Sequence, residues 1–279
     1  MTLWSCEKFE GDQTIPAYLK IDSIALTTDY SVEGTSSNAI TDAWVYIDDQ
    51  YLGTFQLPAR FPVLRNSTAK VTIFGGVKKD GIAATRINYP YYQRIDRTIK
   101  FVQDSTISLG TLSTVYESKT RFIFKEDFEQ VTMLLDTTSR SNVAITRTAS
   151  GSGETFEGEH SGIVTMDSVG QYFEIMSHDP IDIPNAAVYL EINCNTNIEF
   201  QIGLFIYSGT YAIQADVLNI METKGKWKKI YVDLSNMLNA YGGAEKFRLS
   251  LRGNFKETGV DQAKIMVDNL KLVTLGSAR

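Results

Sequence analysis

Few side chains in this chain have both the type and the spacing for bond-making chemistry. Asp127 and Glu129 stand two residues apart in Glu126-Asp127-Phe128-Glu129, which puts both carboxylates on one side of an extended strand. Glycoside hydrolysis needs two acids facing each other across a cleft, so this spacing suits coordination of a cation better than acid–base work. A Ser-His-Asp arrangement would have to recruit His160 or His178, and no Gly-x-Ser-x-Gly turn accompanies either. Gly151-Ser152-Gly153 lacks the Lys-Ser/Thr pair and following helix of a phosphate cradle. The two cysteines make no metal-type pair, and Cys194 alternates with Leu190 and Ile192 on the face expected to be buried. The chain is therefore expected to be non-catalytic.

Recognition chemistry is better represented. Sugar rings present apolar C–H faces that stack on aromatic side chains, which makes tyrosines in turns candidates for a binding rim. Tyr207 and Tyr211 flank Ser208-Gly209-Thr210, and Tyr241 precedes Gly242-Gly243. These three are the expected ligand-binding residues, whereas Trp227 reads as a core residue. Tyr89-Pro90-Tyr91-Tyr92 reads as an extended aromatic segment, because the proline biases Tyr89 toward β or polyproline geometry. Such a segment suits an inter-domain or partner contact.

A third kind of chemistry is covalent. Leu3-Trp4-Ser5-Cys6 places a branched apolar residue three before a cysteine and a small one just before it, the pattern at which bacterial lipoproteins are lipidated. Only five residues precede Cys6, whereas a secretory signal needs a charged start and roughly 7–15 apolar residues, so Met1 is read as internal to a longer signal. The acidic stretch Glu7-Lys8-Phe9-Glu10-Gly11-Asp12 resembles the export tag of surface lipoproteins of Bacteroidetes. That resemblance implies a lipid-anchored protein of the outer membrane, facing the periplasm or the cell surface. Nothing approaches the ~20 apolar residues of a spanning helix, so Cys6 is the expected route to the membrane.

The formal net charge of −6 over 279 residues, with no clustered basic stripe, argues against nucleic acid as a partner. Lys224-Gly225-Lys226-Trp227-Lys228-Lys229 is the densest basic stretch and reads as a solvated strand face.

The elements that must position these residues are strands. Short alternating runs such as Trp44-Val45-Tyr46-Ile47, Val71-Thr72-Ile73-Phe74 and Ile230-Tyr231-Val232 are broken by Gly, Asn, Asp and Ser. This predicts an all-β protein built of β-sandwiches, and the family resemblances of its segments imply two such domains, Ig-like then jelly roll. The expected division is 1–16 signal remnant and linker, 17–116 first sandwich, and 122–276 second sandwich. Asp42 to Pro58 predicts a hairpin turning at Asp48-Asp49, with Gly53 as a break. It resembles the hairpin of PEGA-like, Ig-like surface modules, which implies a structural or adhesive role.

In the second domain, Glu126-Asp127-Phe128-Glu129, Gly158-Glu159-His160-Ser161-Gly162-Ile163-Val164, Gly225 to Leu234 and Ala263 to Val273 follow one another as in the galactose-binding-like jelly rolls of carbohydrate-binding modules. The resemblance implies a structural Ca²⁺ where the first strand meets the last. Its donors would be Glu129, with Asp127, a carbonyl near His160, and Asp268. Two functions follow as expectations. One is a surface lipoprotein acting through its jelly roll as an interaction or structural component of the cell envelope, with an envelope protein as partner. The alternative is a carbohydrate-binding lipoprotein that captures glycans for uptake or degradation. A polar groove lined by aromatics would favour sugar, and a flat apolar patch would favour protein.

Overall fold

The computed structural model describes residues 15–256 and 259–276. Cys6, with the whole expected lipidation motif, lies outside the described residues. The first ten strands are β1 (Ala17–Ile21), β2 (Ser23–Leu26), β3 (Asp42–Ile47), β4 (Gln50–Gln56), β5 (Ala59–Val63), β6 (Thr68–Lys78), β7 (Arg86–Asn88), β8 (Ile95–Lys100), β9 (Thr106–Ser108) and β10 (Thr111–Thr114). Two compact units result, and they are not consecutive in sequence. The first holds residues up to 25 with 40–76 and 93–114; the second holds 26–39, 77–92 and everything from 115 onward. The linear reading places 26–39 and 77–92 in the first domain. They join the second because they carry side chains that close over one of its sheets.

In the first unit, β1 pairs with β5 and β9, and β3 lies between β4 and β6 with β8 on the other side of β6. The hairpin turns at Asp48-Asp49, both at positive φ (47° and 63°), the backbone that matches a two-residue turn to strand twist. Gly53 is not a break: β4 runs through it, and a side chain there would strike the Phe55 ring, its Cβ falling 2.9 Å from Cζ.

The second unit is a sandwich built from β11 (Thr120–Glu126), β12 (Leu135–Thr137), β13 (Thr146–Arg147), β14 (Gly162–Met166), β15 (Tyr172–Ser177), β16 (Ile181–Asp182), β17 (Val188–Thr196), β18 (Phe200–Ser208), β19 (Tyr211–Ile220), β20 (Lys228–Asp233), β21 (Lys246–Asn254) and β22 (Ala263–Leu275). One sheet has the order β13-β14-β22-β17-β20 with β11 also on β22; the other has β12-β15-β21-β18-β19 with β16 also on β21. Their inner faces form one apolar core that includes Leu190, Ile192, Cys194, Ile202, Leu204, Leu249 and Leu251. Each such side chain contributes about 1.5–3 kcal/mol by leaving water. Burial pushes the Cys194 thiol up to about 12, which suits an inert packing residue.

All nine residues of β17 are buried, including Glu191, Asn193 and Asn195. Alternation alone predicts one wet face. The other face is covered by Tyr89, Tyr91, Tyr92 and Tyr116, all at most 3% exposed. Glu191 accepts hydrogen bonds from Tyr89 Oη (2.9 Å) and Tyr116 Oη (2.9 Å), and pairs with buried Lys229 at 3.4 Å. The tyrosine segment is thus a lid on its own sheet.

Candidate functional site

Three strands of the β12-β15-β21-β18-β19 sheet alternate so that the apolar set enters the core and the other set faces outward. In β15 the core takes Phe173 and Ile175; in β21, Phe247, Leu249 and Leu251; in β18, Ile202, Leu204 and Ile206. The outward sets are Tyr172, Glu174 and Met176; Lys246, Arg248, Ser250 and Arg252; and Gln201, Gly203, Phe205 and Tyr207. Register places Gln214 and Asp216 of β19 beside Phe205 and Gly203.

Glu174 organises this face. Its side chain is 1% exposed, and it accepts hydrogen bonds from Thr138 Oγ1 (2.8 Å), Arg140 Nε (3.0 Å), Arg140 Nη2, Tyr172 Oη (2.8 Å) and Gln214 Nε2 (2.6 Å). Burial works against its charge, yet the bonds from Thr138, Gln214, Tyr172 and Arg140 outweigh burial and hold the acid below its ordinary range. Arg140 also donates to Gln214 Oε1 (2.6 Å), and Arg252 donates to Gln201 Oε1 (3.0 Å) and to Asp216. At one end Arg248 donates to the carbonyls of Ser177 and His178, beside the His178–Asp136 pair at 2.9 Å.

The face is concave. β15 and β19 are separated by β21 and β18, three strand steps or about 14 Å of backbone in a flat sheet, yet their side chains meet. Two small residues, Ser250 and Gly203, lie paired beneath them. A Cβ at Gly203 would fall 2.8 Å from the Ala215 carbonyl and 3.1 Å from Ser250 Oγ, and both Gly203 and Ser250 lie buried under the polar side chains above them. The result is a groove whose guanidinium, amide and carboxylate groups are fixed in place, flanked by Tyr172, Phe205 and Tyr207. Planar polar groups of this kind grip vicinal hydroxyls, and the rings offer stacking surface.

The expected rim tyrosines separate. Tyr207 is a strand residue on the groove face, paired with Lys246 and Ala212. Tyr211 is 77% exposed beside the two-residue turn of that hairpin, where Gly209 has φ 58°. Tyr241 ends a short helix (Ser235–Ala240) and packs on the sandwich core, because a half-buried ring at a helix end gains more by covering apolar surface than by facing water.

The expected calcium donors lie elsewhere in the unit. Spacing places Asp127 and Glu129 on a strand, but β11 ends at Glu126, and Phe128, at φ 60°, turns the chain to bury its ring completely. Glu129 Oε1 accepts the N–H groups of Glu159 (2.9 Å) and His160 (3.1 Å), while Asp268 Oδ2 accepts Ser161 Oγ (2.6 Å) and the Glu157 N–H (3.3 Å). Two carboxylates thus hold one loop from both sides. The His160 ring is engaged with the Thr148 carbonyl at 2.7 Å. Burial and then Asp127, Glu157, Asp268 and Glu129 push the Tyr30 phenol up to about 12, so these four carboxylates share one neighbourhood. The buried cation that feels two of them, Lys229, is paired with Glu191. Charge and oxygen chemistry fit a hard cation. Among the described residues, no three acid, histidine or cysteine side chains converge on one metal-holding point, so a Ca²⁺ here would take most of its six to eight oxygens from backbone and water.

The groove residues were missed by motif reasoning because none forms a motif. Their signal is the alternation Lys246-Phe247-Arg248-Leu249-Ser250-Leu251-Arg252, an apolar strand with cations on its second face.

No family model matches the chain, and no curated protein matches it. Solved structures similar to it include carbohydrate-binding modules. One, described for the promiscuous specificity of such modules, is 15% identical over 83% of this chain and 84% of its own, with a TM-score of 0.41. The family 22 module of Clostridium thermocellum Xyn10B is 9% identical over 57% and 97%, at 0.38. The family 11 module of Clostridium thermocellum Lic26A-Cel5E is 13% identical over 57% and 96%, at 0.36.

Proposed function

We propose that this chain is a non-catalytic glycan-binding protein whose second unit holds saccharide in the groove centred on Glu174. The observation that carries this reading is a buried carboxylate held by five donors beneath a concave face of Arg, Gln, Asp and Tyr side chains. A face this polar and this curved favours a sugar over the envelope-protein partner, which would call for a flat apolar patch. Arg140 and Arg252 would orient hydroxyls, and Tyr172 and Tyr207 would offer stacking faces. Lipidation at Cys6 and display on the outer membrane belong to the same proposal, supported by the Leu3–Cys6 pattern and the acidic stretch from Glu7 to Asp12. So does a structural Ca²⁺ held by Glu129 and Asp268, which would pin the loop between them.

The test is affinity electrophoresis of the full chain through gels holding xyloglucan, mixed-linkage β-glucan, arabinoxylan, galactomannan or pectic galactan. A hydrogen bond to a charged group contributes about 1.5–3 kcal/mol, so the double variant Arg140→Ala/Arg252→Ala should lose more than tenfold in affinity for the retarding polymer. Equal retardation of variant and wild type would place the site elsewhere. Release of reducing sugar by the wild type would overturn the non-catalytic reading.

A further inference from the structure

The first unit carries a second surface that the groove does not explain. On β3, Val45 and Ile47 are buried while Trp44 and Tyr46 alternate with them on the opposite face. Register sets Phe74 of β6 beside Trp44, and Tyr51 of β4 beside Tyr46. The four rings form a chain, with centroids 5.9 Å apart for Trp44–Tyr51, 5.3 Å for Tyr51–Tyr46 and 5.6 Å for Tyr46–Phe74. All four stay partly accessible, and Tyr51 is 54% exposed.

Two backbone devices produce this alignment. The β3–β4 register slips by one between the Val45–Gly53 and Tyr46–Tyr51 pairs, leaving Leu52 as the extra residue. Without that bulge Tyr46 would face Leu52, and an aliphatic side chain would replace a ring. A Cβ at Gly76 would lie 2.9 Å from both Cδ1 and Nε1 of Trp44, so the edge of the indole rests directly over that glycine. The rest of the face is polar: Thr54 shares a 2.7 Å hydrogen bond with Tyr51 Oη, and Thr72 donates at 2.6 Å to Asp96, which pairs with Arg94 at 3.1 Å.

We infer that this face, built on Trp44, Tyr46, Tyr51 and Phe74, is a second glycan-binding surface that stacks pyranose rings. The choice of occupant rests on composition. The register partners of Trp44 and Tyr46 across β4 and β6 are Thr54, Phe74, Tyr51 and Thr72, with no aliphatic side chain among them. A protein-docking core draws on aliphatic and methionine side chains as well as rings, whereas a pyranose asks for rings to stack on and hydroxyls or carboxylates at their edges. This inference is independent of the groove, since the two sets of residues belong to different units.

The same gels test it with separate variants of the full chain. Tyr51→Ala is exposed enough to leave the fold intact, and Tyr51→Phe keeps the ring. At least one polymer should retard the groove variant Arg140→Ala/Arg252→Ala, and Tyr51→Ala added to that variant should weaken the residual retardation at least fivefold, with Tyr51→Phe restoring it. Unchanged retardation on adding Tyr51→Ala, or no retardation of the groove variant by any polymer, would overturn the inference. Capture of a leucine-rich peptide by the wild type, lost in Tyr51→Ala, would assign the face to a protein and overturn it as well. A melting curve for each variant separates loss of binding from loss of fold. Failure of the groove alone would show as a groove variant that binds like wild type while Tyr51→Ala does not.

Discussion

Glu174 and Gln214 hydrogen-bond at 2.6 Å although β21 and β18 run between the strands that carry them. The contact spans the groove and makes its curvature a property of side chains as well as backbone. Replacing Glu174 by Gln removes the charge that Arg140 pairs with and forces an amide N–H toward other donors. The expected loss is about 1–3 kcal/mol, measured by denaturant unfolding. The folded-state acid is held below its ordinary value of 4.5, so the carboxylate's contribution is present above the unfolded value and fades as pH falls through the folded one. The difference between wild type and Glu174→Gln should therefore shrink below about pH 4.5, and a difference constant down to pH 2 would contradict it.

Gly203 lies buried beneath the polar face, where there is no room for a Cβ. Gly203→Val drives a branched side chain into the Ala215 carbonyl and Ser250, and overpacking of this kind costs about 1–3 kcal/mol. The melting temperature should fall and glycan retardation should disappear together. A variant that melts like wild type and still binds would mean the trough is not where the ligand sits.

Lys271 is the stability liability of the second unit. It is 2% exposed, and its ammonium donates to the Thr35 carbonyl at 2.6 Å and to Tyr116 at 3.4 Å. Burial pulls it down to about 7. A base whose folded value is depressed is penalised while both states are charged, below pH 7, and the penalty is relieved as pH rises from 7 toward 10.5. Lys271→Met should stabilise the protein most at pH 6 and progressively less above pH 7, read from urea midpoints across that range. Destabilisation at every pH would mean that the bond to Thr35 outweighs desolvation.

Glu129 and Asp268 offer a test of the metal. An ion bound only by the native state raises stability by mass action, so calcium should raise the melting temperature and a chelator should lower it, with both responses absent in Glu129→Ala. A wild-type curve indifferent to both would leave the loop held by hydrogen bonds alone.

Local chemistry was enough to place the Asp48-Asp49 turn, the strand alternation and the burial of Cys194. Each of these is decided by period two or by a turn's φ values, and both are written in neighbouring residues. The groove was decided elsewhere. Thr138, Arg140, Glu174, Gln214 and Arg252 stand far apart in the chain, and only closure of five strands into a curved sheet makes one charged residue the partner of the next. The same holds for Glu191, whose burial follows from tyrosines about 100 and 75 residues away. The Leu52 bulge and the turn at Phe128 each shift one residue out of the regular pattern, moving Tyr51 onto a ring platform and Asp127 and Glu129 off a strand. Pairing register and backbone reversal are collective outcomes of packing, and no single residue's propensity carries them.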